Sequence, residues 1–139
     1  MGKVAYKLIQ FETRPTDGFG SLAFFEANRD IPFEIKRIYY VFNVPQNVQR
    51  GGHAHKQLRQ LLFCPYGSVE IILDDSVNKE SIILDDPSLG LFIEPGLWRD
   101  IIWHVENSVL CVAVSEYYDE NDYIRDYAEF LRFKHNSNP

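Results

Sequence analysis

The chain has 139 residues, 45% of them apolar and 14% aromatic, and a formal net charge of -6. That length suits one domain with a full core and is too short for two, and the composition is globular, not disordered. The acidic balance argues against a general grip on nucleic acid, which needs a basic face, but leaves room for a small anion held by a few arginines. Nothing near the N-terminus has the order of a signal peptide, and no run reaches the roughly 18 apolar residues of a membrane span. A cytoplasmic protein without membrane contact is expected. Cys64 and Cys111 lie in apolar, strand-like runs and read as free buried thiols, which suits a reducing compartment.

In chain order, residues 4–11 alternate loosely and predict a first strand. Residues 12–20, with Pro15, Asp17, Gly18 and Gly20, predict a turn region. A second strand is predicted over 21–26, ended by Asn28-Arg29-Asp30 and Pro32. The run 35–44 is rich in β-branched and aromatic residues and predicts a third, and 45–52 reads as a polar loop. Residues 58–64 and 68–74 predict a hairpin joined through Pro65-Tyr66-Gly67. Further strands are expected at 80–84, 91–93, 101–105 and 109–115, the last apolar on both faces and so central or sandwiched. Many short strands separated by turn residues predict an all-β sandwich or barrel. Beyond them, Asp122, Tyr123, Ile124, Tyr127, Phe130, Leu131 and Lys134 recur at helical spacing, with Asp119 and Asp122 as candidate caps. One C-terminal helix is expected there, followed by a polar tail over 135–139.

The chemistry-bearing stretch is Arg50-Gly51-Gly52-His53-Ala54-His55-Lys56. Histidines at i and i+2 on an extended strand point to one face, and the two glycines allow a tight bend just before them. The pair can ligate a metal, exchange protons with a substrate, or stand as polar residues on a strand rim. Arg50, Arg99 and Arg37 can bind a diphosphate or steady an enolate oxygen. Trp98, Tyr39 and Tyr40 can stack on a base or sugar, or fill core.

Glycine, His-x-His, Gln60 and then Gly67 resemble, in their spacing, the first signature of the cupin family, whose fold is a double-stranded β-helix (jelly roll). In metal-binding cupins the position of Gln60 carries a glutamate, and a second signature ends in a histidine. Here Gln60 is a neutral amide, and the matching stretch from Gly90 to Arg99 ends in Trp98 and Arg99. A guanidinium cannot coordinate a metal, so a metal-free barrel without a cofactor is expected, with the histidines exchanging protons.

A closer resemblance follows from Ile31-Pro32-Phe33-Glu34-Ile35-Lys36-Arg37-Ile38-Tyr39-Tyr40, from the His-Ala-His-Lys string, from Leu73-Asp74-Asp75, from Pro95 to Trp98, and from Tyr117-Tyr118-Asp119-Glu120-Asn121-Asp122-Tyr123-Ile124-Arg125. These resemble the sugar 3,4-ketoisomerases that act on dTDP-4-keto-6-deoxyglucose. The resemblance implies one cupin domain over 1–139, and a homodimer in which the N-terminal strands, residues 1–27, exchange between subunits. It also implies removal of the C3 proton beside the C4 ketone, an enediol, and protonation at C4. The product would feed synthesis of 3-amino-3,6-dideoxy sugars.

Carried onto this chain, His55 is expected as the main base with His53 assisting. Arg50, Tyr39, Arg37, Gln60, Trp98, Arg99 and Phe19 are expected at the substrate. Arg99 and Phe19 flank the sugar, and arginine at 99 points to the gluco product. The alternatives are the 3,5-epimerase of the same sugar, a non-catalytic cupin that binds a nucleotide sugar, and a metal-dependent cupin dioxygenase.

Overall fold

The computed structural model describes residues 3–137. Twelve strands are formed: β1 (Lys7–Gln10), β2 (Glu12–Thr16), β3 (Gly20–Phe24), β4 (Arg37–Val41), β5 (Val48–His55), β6 (Gln60–Tyr66), β7 (Val69–Asp74), β8 (Lys79–Leu84), β9 (Leu89–Ile93), β10 (Trp98–Trp103), β11 (Val109–Val114) and β12 (Tyr123–Ile124). One helix, α1 (Tyr127–Ser137), closes the chain. The strands form two five-stranded antiparallel sheets, ordered β1-β9-β6-β11-β4 and β12-β5-β10-β7-β8, and a separate β2–β3 hairpin. Across β4 to β11 this is jelly-roll order, each sheet taking alternate partners of nested hairpins. The all-β, double-stranded helix with a short C-terminal helix is therefore the observed architecture.

Period-two alternation explains why the core lies between the sheets. Leu62, Cys64, Val69, Ile71, Leu73 and Val112 are buried there, around Trp103, whose indole N–H donates to the Ser108 carbonyl at 2.8 Å. The other face of β11 is also covered: Ala113 packs with Leu61, Phe33, Ile31 and Phe11 in a second cluster. That is the expected doubly apolar strand. Gly90 fits this packing, because a Cβ there would come within 2.7 Å of the Phe11 ring.

Four boundaries differ from the sequence reading. Residues 12–16 form a strand, not a turn; their pairing is with β3 alone, and the turn is confined to Asp17-Gly18-Phe19. The supposed loop before the histidines belongs to β5 from Val48 onward. The helix begins at Tyr127, with the Asp126 carboxylate accepting the Glu129 N–H at 3.1 Å. Asp119 caps only a single 3-10 turn, Glu120–Asp122, while Tyr123 and Ile124 pair with β5. The helix runs through Ser137, so part of the expected tail is helical; the rest, and residues 1 and 2, lie outside the described residues. Among the described residues, no helix is long and apolar enough to cross a membrane.

Candidate active site

The site is built where β5 pairs with β10 and faces β4 of the other sheet. Gly51 and Gly52 adopt φ of 91° and 73°, a left-handed backbone that other residues rarely take, opposite a register shift between Arg99 and Asp100. After this bulge the alternation places His53 and His55 toward the barrel interior. Ala54, between them, points outward and packs with Trp98, Ile124 and Phe130 beneath α1. On β10 the same rule sends Arg99, Ile101 and Trp103 inward and Trp98 outward.

A cavity of about 410 Å³ opens between the sheets, walled by His53, Arg99, Arg50, Arg37, Tyr39 and Tyr123. Arg99 is 2% exposed and donates from Nη2 to the Tyr39 hydroxyl at 2.8 Å. The Arg37 guanidinium sits 5.4 Å from the Tyr39 ring centre and 5.7 Å from that of Tyr118. Among the described residues, Arg37, Arg50 and Arg99 form no ion pair with a carboxylate. Nε and Nη2 of Arg37 and Nε of Arg99 are buried without a hydrogen-bond partner. Unpaired buried cations are costly, so the arrangement is complementary to an anion despite the acidic chain.

His53 and His55 lie edge to face with ring centres 5.0 Å apart. Tyr123 covers both, at 4.5 Å from His55 and 5.1 Å from His53, and the Arg125 guanidinium stacks 4.2 Å above Tyr123. Burial first, then the positive charge of Arg99, pushes both imidazoles down to about 3, so both are neutral at physiological pH. The two are not equivalent. Nδ1 of His55 lies 3.0 Å from Oδ2 of Asp122, a contact that favours the imidazolium and opposes the other influences. Among the described residues, no carboxylate pairs with His53 in this way. Nε2 of each ring is buried and unpartnered. Neutral, polarised imidazoles beside fixed positive charge can take up and return a proton while an oxyanion is held.

Of the expected site residues, Arg37, Tyr39, Arg50, His53 and Arg99 meet around this cavity. His55 lies directly behind His53 and does not itself form the wall. Gln60 is buried with Oε1 unpartnered, but it is not part of the wall either. Trp98, one residue from Arg99, takes the opposite face, its ring 5.7 Å from Phe130 and 5.2 Å from Tyr127. Phe19 sits at the tip of the β2–β3 hairpin, 89% exposed, and is not part of the wall of its own chain's cavity. Among the described residues no group of three His, Cys, Asp or Glu side chains converges as a metal site would require, and Arg99 beside the histidines opposes a cation.

Asp122, Tyr123 and Arg125 went unrecognised as site residues. Their spacing imitates a helix face, although the dense aromatic and acidic string from Tyr117 to Arg125 was the available signal. Glu120 fixes the outer edge of this segment. It accepts from Arg125 Nε at 2.7 Å and from the Tyr118 hydroxyl at 2.6 Å, and the Arg125 bonds chiefly hold its carboxyl down at about 2.

The family model described as "FdtA: WxcM-like, C-terminal" matches residues 4–135. The chain is 43% identical over 127 residues to a TDP-4-oxo-6-deoxy-alpha-D-glucose-3,4-oxoisomerase of Aneurinibacillus thermoaerophilus, covering 91% of each chain. It superposes on QdtA, a sugar 3,4-ketoisomerase of Thermoanaerobacterium thermosaccharolyticum solved with TDP, with TM-score 0.91, 42% identity, and coverage of 96% of this chain and 97% of that one. A histidine-to-asparagine variant of the same enzyme was solved with TDP-4-keto-6-deoxyglucose. The TDP-quinovose 3,4-ketoisomerase WlaRB of Campylobacter jejuni matches with TM-score 0.86 and 43% identity over 91% of this chain and 97% of that one. With a family model matched over residues 4–135 and relatives of 42–43% identity matched over nearly its whole length, this chain belongs to the FdtA family of WxcM-like C-terminal domains.

Proposed function

We propose that this protein is a sugar 3,4-ketoisomerase that converts dTDP-4-keto-6-deoxyglucose to the 3-keto isomer. The observation that carries the reading is the pair of neutral imidazoles, each with an unpartnered Nε2, set beside arginines that lack a carboxylate. The reaction moves two protons. C3 loses its hydrogen and C4 gains one; the C3 hydroxyl loses its proton and the C4 oxygen gains one. The bond electrons of C3–H become the C3–C4 double bond of an enediol, and the C4 carbonyl electrons become an O–H bond. Reversal from the other end leaves the ketone at C3. No oxidant is consumed, because oxidation at C3 matches reduction at C4.

His53, on the cavity wall, is the imidazole that meets the sugar first, and we assign it the carbon-bound proton. His55, preferred for that role from sequence alone, is the second proton carrier, stabilised when charged by Asp122. Arg99, steadied by Tyr39, faces the developing enediolate oxygen, while Arg37 and Arg50 hold the diphosphate. A guanidinium at position 99 and the similarity to a TDP-quinovose enzyme support protonation of C4 to the gluco product. The free thiols of Cys64 and Cys111 fit a cytoplasmic location.

We also propose the homodimer with exchanged N-terminal strands. The β2–β3 hairpin bonds to neither sheet, Phe19 and Leu22 are exposed on it, and Ile38, Tyr40 and Phe42 form an exposed apolar stripe along edge strand β4. Exchange would carry Phe19 toward the partner's cavity.

Proton NMR of the purified protein with dTDP-4-keto-6-deoxyglucose in D₂O tests the activity. A new 3-keto sugar is expected, and the couplings of C4 in a water sample give its configuration. Deuterium at C5 with the 4-ketone intact would instead identify an epimerase, and an unchanged spectrum would sink the assignment.

A further inference from the structure

Asp122 commits both of its carboxylate oxygens. Oδ2 lies 3.0 Å from Nδ1 of His55, and Oδ1 accepts the backbone N–H of Gln57 at 2.7 Å. The side chain is 11% exposed and His55 only 2%. Its backbone is fixed as well: the Asp122 N–H donates to the Asp119 carbonyl and the Asp122 carbonyl accepts from Lys56 N–H, both at 3.0 Å. Tyr123, the next residue, pairs with His55 in the β12–β5 register. The carboxylate therefore reaches His55 from a braced position.

A carboxylate offers only lone pairs, so the ring nitrogen that faces it carries the hydrogen. Nδ1 of His55 is then the donor, and the unpartnered Nε2 holds the lone pair. We propose that Asp122 is a positioning residue that locks His55 in its Nδ1–H tautomer with Nε2 ready to accept a proton, and that the Gln57 N–H makes a carboxylate indispensable for this. The inference rests on the reading above that His55 carries a proton during turnover.

The Gln57 N–H is a donor in every protonation state. An asparagine in place of Asp122 must turn its carbonyl oxygen toward that N–H, which leaves its NH₂ facing Nδ1. Nδ1 must then accept, and the single ring hydrogen moves to Nε2. The imidazole remains neutral and the side chain nearly isosteric, yet the nitrogen that should receive a proton already holds one. No bond outside the imidazole is made or broken.

The test compares the full-length protein with Asp122→Asn by nitrogen-15 NMR of the histidine side chains, TDP titration, and steady-state turnover of dTDP-4-keto-6-deoxyglucose. The wild type should show Nδ1–H at His55, and Asp122→Asn should show Nε2–H. TDP affinity should stay within about twofold, and kcat should fall by roughly 10²- to 10⁴-fold, the range that a positioned acid–base group supplies. The same tautomer in both proteins, or an inverted tautomer with kcat retained, overturns the proposal. Should Asp122→Asn lose TDP binding, Asp122→Ala serves: a mixture of tautomers and an intermediate kcat is expected, and wild-type kcat overturns the proposal. A wild type that leaves the sugar unchanged overturns the activity reading, while the tautomer comparison still decides the part played by Asp122.

Discussion

The guanidinium of Arg99 donates to the hydroxyl of Tyr39 at 2.8 Å, and this bond ties β10 of one sheet to β4 of the other. It joins two residues of the cavity wall, so it sets the separation of the two sheets there as well as the direction of the charge. Tyr39→Phe removes the acceptor and leaves a buried donor unmet. A loss of about 1–3 kcal/mol in stability is expected from urea unfolding. A raised KM should accompany it, because Arg99 can then swing away from the sugar.

Arg37 should matter most for the nucleotide half of the ligand. Two of its nitrogens are buried without partners, and charge-assisted bonds are typically worth about 1.5–3 kcal/mol. Arg37→Ala is therefore expected to weaken TDP binding by roughly 10- to 150-fold by calorimetry. The wild-type affinity should fall with added salt more steeply than that of the variant. Unchanged affinity would move the diphosphate elsewhere.

Gly51→Ala tests the bulge that aims the histidines. The position has φ of 91°, and a Cβ would stand 2.8 Å from the Arg99 carbonyl oxygen, which is backbone and cannot step aside alone. Strain of about 1–3 kcal/mol is expected, read as a lowered midpoint of denaturation. Turnover should fall beyond that, because His53 follows two residues later.

Acid stability should report the buried imidazoles. His53 is held at about 3 in the folded protein by burial, Arg99, His55 and Arg125, against an ordinary value near 6.5. Below 6.5 the unfolded chain binds a proton that the folded site refuses, so stability falls as pH drops from about 6.5 toward 3. His53→Asn should flatten that part of the Tm-against-pH curve. His55, pushed down to about 3 by burial and by Arg99, Arg37 and Arg125, should contribute a fall of the same sign over the same range. A curve of the same slope in both proteins would contradict the neutral pair.

Phe19→Asp addresses the exchanged hairpin. With Phe19 directed into a partner's site, the variant is expected to remain folded but to dissociate more readily, seen by light scattering across a dilution series. A monomeric wild type would remove the exchange from consideration.

Much of the barrel was legible because its strands obey a strict alternation and its turns carry glycine, proline and aspartate. The inward histidines followed from their i, i+2 spacing on β5. The outward direction of Trp98 follows from the same alternation, because its neighbour Arg99 occupies the inward face. Residues 12–16 were unreadable as a strand for a different reason: Pro15 and scattered charges hide a segment that pairs with β3 in a hairpin separate from both sheets. Asp122 reads from sequence as a helix cap because its partner, His55, is 67 residues away in the chain. Local spacing there imitates a helix, and only the pairing of Tyr123 and Ile124 with β5 overrides it.

Ala54 stands between the two histidines and faces the other way, completely buried with Ile124 and Phe130 beneath the C-terminal helix. The strand that presents the imidazoles to the cavity thus has its back against that helix. Heat that frays the helix would loosen this backing before the barrel itself opens. Catalytic rate and C-terminal helicity should consequently decline together on warming, at temperatures where the β-sheet signal is still intact.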